Sequence, residues 1–136
     1  MFVDAYMTEE QLALQKLAHE FAVKEIRPVA MDLDHNPDPA KSAFMDTLLE
    51  KADAAGFRTM TIPEEYGGSG LGLGEVVSIV EPMGRNLFAS PLVSTTLAAQ
   101  AILLAGDAAQ KSHWLPLLAG GTVAALALTE AHGDWD

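Results

Sequence analysis

The sequence predicts an all-α fold: five helices, then a single orphan β-strand near the C-terminal end. Three observations predict it. Apolar residues recur at three- and four-residue spacing along five stretches, the mark of helices with one buried face. Residues that cap or break helices bound those stretches. After the breaker Gly120-Gly121, Val123 to Leu128 is a short unbroken apolar run, which suits a strand buried on both faces. A strand needs neighbours for its backbone hydrogen bonds, and no convincing second strand stands upstream. The expectation is a fragment, or a chain whose sheet is completed by another.

The first helix opens at Met7-Thr-Glu-Glu-Gln-Leu12. Thr8 and Gln11 have the spacing of a capping box, and Met7 and Leu12 that of a hydrophobic staple. Glu9 and Glu10 sit at the positive end of the helix dipole. Leu17, Phe21 and Ile26, with Ala18 and Ala22, form its apolar stripe. Pro28 should kink or end it, because proline has no N–H for the helix ladder. Asp32 to Pro39 is then a loop. Its Asp32-x-Asp34-x-Asn36 spacing imitates a calcium loop, but Pro37 and Ala43 stand where that loop needs Gly and Glu.

A second helix is expected from about Lys41 to Ala55, with Phe44, Leu48, Ala52 and Ala55 on one face and Gly56 as its stop. Phe57 to Ile62 is expected to be extended. Gly67 to Gly74 holds five glycines in eight residues. It lacks the G-x-G-x-x-G order, a preceding strong strand and a Gly-Lys-Ser/Thr ending, so it fits a multiply turned loop better than a phosphate cradle. The third helix covers about Leu73 to Leu87, with Val76, Val77, Val80 and Met83 buried and Pro82 bending it. Ser90-Pro91 suits an N-cap and first-turn proline. The fourth helix follows to Ala105, with Val93, Leu97 and Ala101 on one face. Asp107 and Gln110 form a second capping box for a fifth helix to about Leu118, in which Trp114 and Leu118 pair in the core.

The chain has 136 residues, 49% of them hydrophobic, enough for one domain with its own core. It has no cysteine, which removes disulfide and thiolate chemistry. The net charge of −11 argues against nucleic acid, since an acidic surface repels phosphate backbones. No apolar stretch reaches the ~18 residues of a membrane helix. The start lacks the basic segment of a signal peptide, so a cytoplasmic location is expected.

Few residues carry chemistry. No two histidines stand four apart, so there is no helical zinc pair. His132-x-Asp134-x-Asp136 has ligand atoms but lies in the last few residues, which tend to be mobile. Glu64-Glu65 could be a carboxylate pair, although sequence neighbours on a loop usually face water. No G-x-S-x-G elbow is present.

Four stretches stand in a telling order: Thr8-Glu-Glu-Gln11, Ile62-Pro-Glu-Glu-Tyr-Gly-Gly68, Gly106-Asp-Ala-Ala-Gln-Lys111 with Trp114-Leu-Pro116, and Ala127-Leu-Thr-Glu130. With them the chain resembles the N-terminal helical domain of the flavin-dependent acyl-CoA dehydrogenases. The resemblance implies a helical domain over 1–121. It makes 122–136 the first strand and following loop of a middle β-domain. It also implies FAD, an acyl-CoA thioester, an oligomeric assembly, and a glutamate base in a C-terminal helical domain that this chain does not contain. Leu126, Leu128 and Thr129 match the family's flavin-contacting strand, and Val93 and Leu97 would line the acyl cavity. After Glu130 the chain departs from the family pattern of Pro, small residues and Gly-Ser. Ala131-His-Gly-Asp-Trp135 puts bulk and negative charge there instead. The expected function is one wall of an acyl-CoA dehydrogenase site, with the chain inactive alone. The alternatives are a non-catalytic partner subunit or a related flavoenzyme, such as an acyl-CoA oxidase or a flavin monooxygenase.

Overall fold

A computed structural model describes residues 6–38, 46–88, 90–128 and 133. Among them every regular element is helical, as expected of an all-α domain. Helix α1 (Glu9–Phe21) starts at the predicted box: Thr8 Oγ1 accepts the Gln11 N–H at 3.1 Å, and Gln11 Oε1 accepts the Thr8 N–H at 3.0 Å. Its buried stripe is Ala18, Ala22 and Ile26, with Leu14 and Phe21 packed alongside. Leu17 is a correction to the expected stripe: it lies 47% exposed. The neighbouring helix meets the side of α1 that carries Leu14 and Ala18, which turns Leu17 outward.

Pro28 does not end the helix, and residues 32–35 of the expected loop are helical; 36–38 lie beyond the helix as expected, and Pro39 lies outside the described residues. A π-helical turn, Ala22–Ile26, comes just before it, with the Arg27 N–H reaching back to the Ala22 carbonyl. Helix α2 (Arg27–His35) then begins with Pro28 in its first turn. Proline lacks an N–H and crowds the carbonyl four residues back. The wider π-turn takes up that mismatch, and the helix continues to His35. Helix α3 (Asp46–Ala54) is the described part of the expected second helix; Phe44 and the expected start at Lys41 lie outside the described residues. Leu48 and Ala52 are buried as expected.

Residues 57–62 form a succession of turns, not the expected extended stretch. Gly56, at φ +76°, ends α3: its N–H donates to Asp53 O and the Phe57 N–H to Ala52 O. The reversal places Phe57 and Met60 in the first core, where Phe57 meets Phe21 edge to face at 5.3 Å. A 3-10 turn, Glu64–Tyr66, leads into the glycine-rich loop. Gly67 and Gly70 have φ of +90° and +64°, as a multiply turned loop requires.

Helix α4 (Leu73–Arg85) packs along α1. Gln11 Nε2 donates to Glu75 Oε1 at 3.0 Å across the pair. The buried face of α4 is Ser78, Ile79, Pro82 and Met83. Val77, expected inside, is 62% exposed. Helix α5 (Leu92–Ala105) begins one residue later than expected, with Pro91 in the cap position and Ser90 Oγ accepting the Leu92 N–H at 3.4 Å. Helix α6 (Ala108–Ala119) opens on the predicted box of Asp107 and Gln110. Its core residues are Leu115 and Leu118; Trp114, expected to pair with Leu118, is 47% exposed with its ring edge-on to His113. These two helices and Ile62 enclose a second core of Ile62, Ala99, Leu115 and Leu118.

Three expected outcomes follow from this packing. Asp107→Ala should lower unfolding stability by about 1 kcal/mol, the usual cost of a lost N-cap; an unchanged urea midpoint would remove Asp107 as the cap. Thr61 is buried, and its hydroxyl has no hydrogen-bond partner among the described residues. Thr61→Val should therefore raise stability by about 1 kcal/mol, since an unsatisfied buried hydroxyl costs roughly that; a lower midpoint would show that the hydroxyl is paired. The third concerns Glu75. The Gln11 amide, with main-chain N–H groups of Glu75 and Gly72, holds its carboxyl below the ordinary carboxylate value. A lowered pKa adds stability above the ordinary value, and that stability fades as pH falls through the lowered one. The melting gap between wild type and Glu75→Gln should accordingly narrow from pH 6 to pH 3. A constant gap would refute the contribution.

Candidate functional site

The glycine-rich loop is not a phosphate cradle in this fold. Anion cradles present free N–H groups to the ligand. Here the N–H groups of Gly67, Gly68, Ser69, Gly70 and Leu71 donate to the carbonyls of Glu64, Pro63, Thr59, Ile62 and Met60 in turn. Glu64 and Glu65 face solvent on the preceding turn, as expected of sequence neighbours. Among the described residues no group of three or more His, Cys, Asp or Glu is placed to hold a metal ion. His132, Asp134 and Asp136 lie outside them.

The predicted site residues fall on two surfaces. The first is the outer face of α5. Leu92, Thr95, Ala98 and Ala99 are buried, while Val93 and Leu97, one turn apart, are 51% and 47% exposed. They form an apolar strip open to solvent. The second surface is the segment after α6. That helix ends in a reversal: the Gly121 N–H donates to Leu118 O and the Thr122 N–H to Leu117 O, with Gly121 at φ +102°. A Cβ on Gly121 would lie 3.3 Å from Arg58 Nη2. The buried Arg58 guanidinium is itself held by both carboxylate oxygens of Asp53. The chain thus leaves α6 close over this ion pair, at a positive φ that favours glycine.

Beyond Gly121, residues 123–128 form no strand among the described residues. A strand is defined by its partner, and no neighbouring backbone is present to pair with it. Nor is the run buried on both faces: Val123, Leu126 and Leu128 are exposed, and only Ala124 packs into the second core. Thr129 lies outside the described residues. One side chain joins the two surfaces. Thr95 Oγ1 accepts the Ala124 N–H and donates to the Ala124 carbonyl, both at 3.3 Å. Sequence reasoning missed this residue, and its one signal was a Thr95-Thr96 pair amid apolar helix. It missed Arg58 too, a lone basic residue just past a helix stop.

Open clefts among the described residues lie apart from these two surfaces. One of about 320 Å³ between α1 and α4 is lined by Leu12, Lys16, His19 and Arg85 among others. Val93, Leu97, Leu126 and Leu128 do not border it. Val93, Leu97, Leu126 and Leu128 form an exposed surface.

Residues 8–122 match the family described as acyl-CoA dehydrogenase, N-terminal domain. The chain belongs to the acyl-CoA dehydrogenase family. Among curated proteins it is 36% identical over 98% of its length to an acryloyl-CoA reductase (NADH) of Anaerotignum propionicum, covering 34% of that protein. Among solved structures it is similar to butyryl-CoA dehydrogenase of Megasphaera elsdenii, with TM-score 0.72, 28% identity, and coverage of 94% of this chain and 34% of that one. It is also similar to an acyl-CoA dehydrogenase of Bacillus anthracis complexed with FAD, with TM-score 0.68, 29% identity, and coverage of 94% and 22%. The chain spans about a third of the length of the curated relatives it matches. Among the described residues no helix is long and apolar enough to cross a membrane.

Proposed function

We propose that this chain supplies one wall of the acyl and flavin site of an FAD-dependent acyl-CoA dehydrogenase. The observation that carries the proposal is the pair of exposed apolar surfaces, Val93 with Leu97 and Leu126 with Leu128, held together in a chain of this family. Burying such surfaces is favourable at roughly 25 cal/mol per Å², so they suit an acyl chain and a flat ring. Val93 and Leu97 would exclude water along the acyl group. The main-chain groups of Leu126 and Leu128 belong to no strand pairing here, so they can bond to a ring edge. The Thr129 hydroxyl would add one more hydrogen bond. The fit ends at the ring: among the described residues the glycine-rich loop is no phosphate cradle, so the diphosphate contacts, like the catalytic base, would fall to the remaining two-thirds of a full-length assembly or to a partner chain.

When bound, FAD supplies the hydride acceptor for α,β-dehydrogenation. Reduction of an α,β double bond, the reaction in the name of the Anaerotignum relative, is the reverse of that step. The substrate class is therefore an acyl-CoA/enoyl-CoA pair, in a cytoplasmic oligomer. The 136-residue chain alone should purify without colour and without dehydrogenase activity. Stoichiometric yellow flavin on it would contradict this division of labour.

The sharper test is Thr129→Val in the intact assembly that contains this chain. The exchange keeps shape and strand preference but deletes a hydrogen bond worth about 0.5–1.5 kcal/mol. FAD should bind up to ~10-fold more weakly in a titration of the apo-protein. Equal dissociation constants and equal flavin spectra would take Thr129 out of the site. An assembly that binds no flavin in either form would favour a non-catalytic subunit.

A further inference from the structure

We propose that Thr95 is a positioning residue: its hydroxyl latches the segment after Gly121 to α5 and so sets the distance between the acyl-facing and flavin-facing surfaces. The inference rests on the reading of those two surfaces given above.

Thr95 is an unusual residue for its place. It sits inside α5 at 2% exposure, in a stretch where every other deeply buried side chain but Thr96 is apolar. Its backbone needs nothing from the side chain, because the Thr95 N–H already donates to Pro91 O at 2.9 Å. A hydroxyl has one donor and two acceptor positions. Here it uses one of each on a single residue, taking the N–H and bonding the carbonyl of Ala124. An antiparallel strand serves one of its neighbour's residues in the same two-way manner. Thr95 thus provides, from a helix and across 29 positions of sequence, the pairing that a sheet would provide.

The latch lies close to both surfaces. Val93 and Leu97 are each two residues from Thr95, about 3 Å along the helix axis. Leu126 is two residues beyond Ala124, within about 7 Å of extended chain. Other contacts hold the helices in place. Ala99, Leu115 and Leu118 form the second core, and the Gly121 reversal fixes the exit from α6. Loss of the hydroxyl should therefore free the segment and leave the helices standing.

Two matched pairs isolate the hydroxyl: wild type against Thr95→Val, and Thr95→Ser against Thr95→Ala. Within each pair the side chains differ chiefly by the hydroxyl. The first readout is amide hydrogen exchange of the 136-residue protein by NMR. The Ala124 amide should exchange at least tenfold faster in the Val and Ala forms than in their hydroxyl-bearing partners. The Ala99 and Ile102 amides of α5 should keep their rates, which verifies the fold. If Thr95→Val does not fold, the Ser/Ala pair carries the comparison.

The second readout is distance. The chain has no cysteine, so Leu97→Cys with Leu128→Cys, both at exposed positions, places two spin labels cleanly. Pulsed electron resonance should give one narrow distance with the hydroxyl present, and a distribution at least twice as broad without it. Equal Ala124 exchange within a folded pair, or equal distance distributions, overturns the proposal. Neither readout involves flavin or acyl-CoA, so the latch can fail while the proposed function stands, and the reverse.

Discussion

The fold depends on a place where two stretches of backbone touch with no side chain between them. A Cβ added to Gly68 would lie 2.0 Å from the Ile62 carbonyl oxygen. Around that contact the Gly70 N–H donates to Ile62 O at 2.9 Å and the Leu71 N–H to Met60 O at 2.7 Å. The glycine loop is thereby locked onto the turns at 59–62. Those turns contribute Met60 to the first core and Ile62 to the second. The first core joins α1, α3, α4 and, through Leu92, the start of α5; the second joins α5 and α6. Through Gly68 the glycine-rich loop, which resembles a ligand cradle by composition, acts as the joint between the two.

From that joint the remaining architecture aims the chain outward. The second core orients α5 so that its buried side carries Thr95 and Ala99 and its open side Val93 and Leu97. The Arg58–Asp53 pair lies beneath Gly121, where the chain leaves α6. Val123, Leu126 and Leu128 stand exposed after the last helix. The chain spans about a third of the length of its curated relatives, which is consistent with a cover for these residues lying in the other two-thirds.

Charge sharpens the division. At −11 the chain would, under the proposed function, suit the apolar parts of an acyl thioester and a flavin ring better than their phosphates. The N–H groups of Gly67 to Leu71, natural candidates for anion contacts, are spent on backbone carbonyls. Under the proposed function, any diphosphate grip would come from elsewhere and this domain would contribute shape and exclusion of water.

Several features were determined by sequence alone, and all of them are local. The capping boxes at Thr8–Gln11 and Asp107–Gln110 form as their spacing requires, because a cap needs only residues three apart. Gly56, Gly67 and Gly70 adopt positive φ for the same local reason. The ordered motifs also identified the family, which the match over 8–122 bears out. What sequence did not settle was which side of an apolar helix faces inward. In α6 the core took Leu115 and left Trp114 outside; in α4 it took Ile79 and left Val77 outside; in α1 it took Ala18 and left Leu17 outside. In each case both neighbouring residues are apolar or small, so composition could not choose. The side on which the adjacent helix lies made the choice. The continuation through Pro28, the turns at 57–62 and the Thr95–Ala124 latch have the same origin. Each depends on a backbone partner distant in sequence or on a neighbouring turn's geometry, and only the assembled tertiary structure brings those groups within reach.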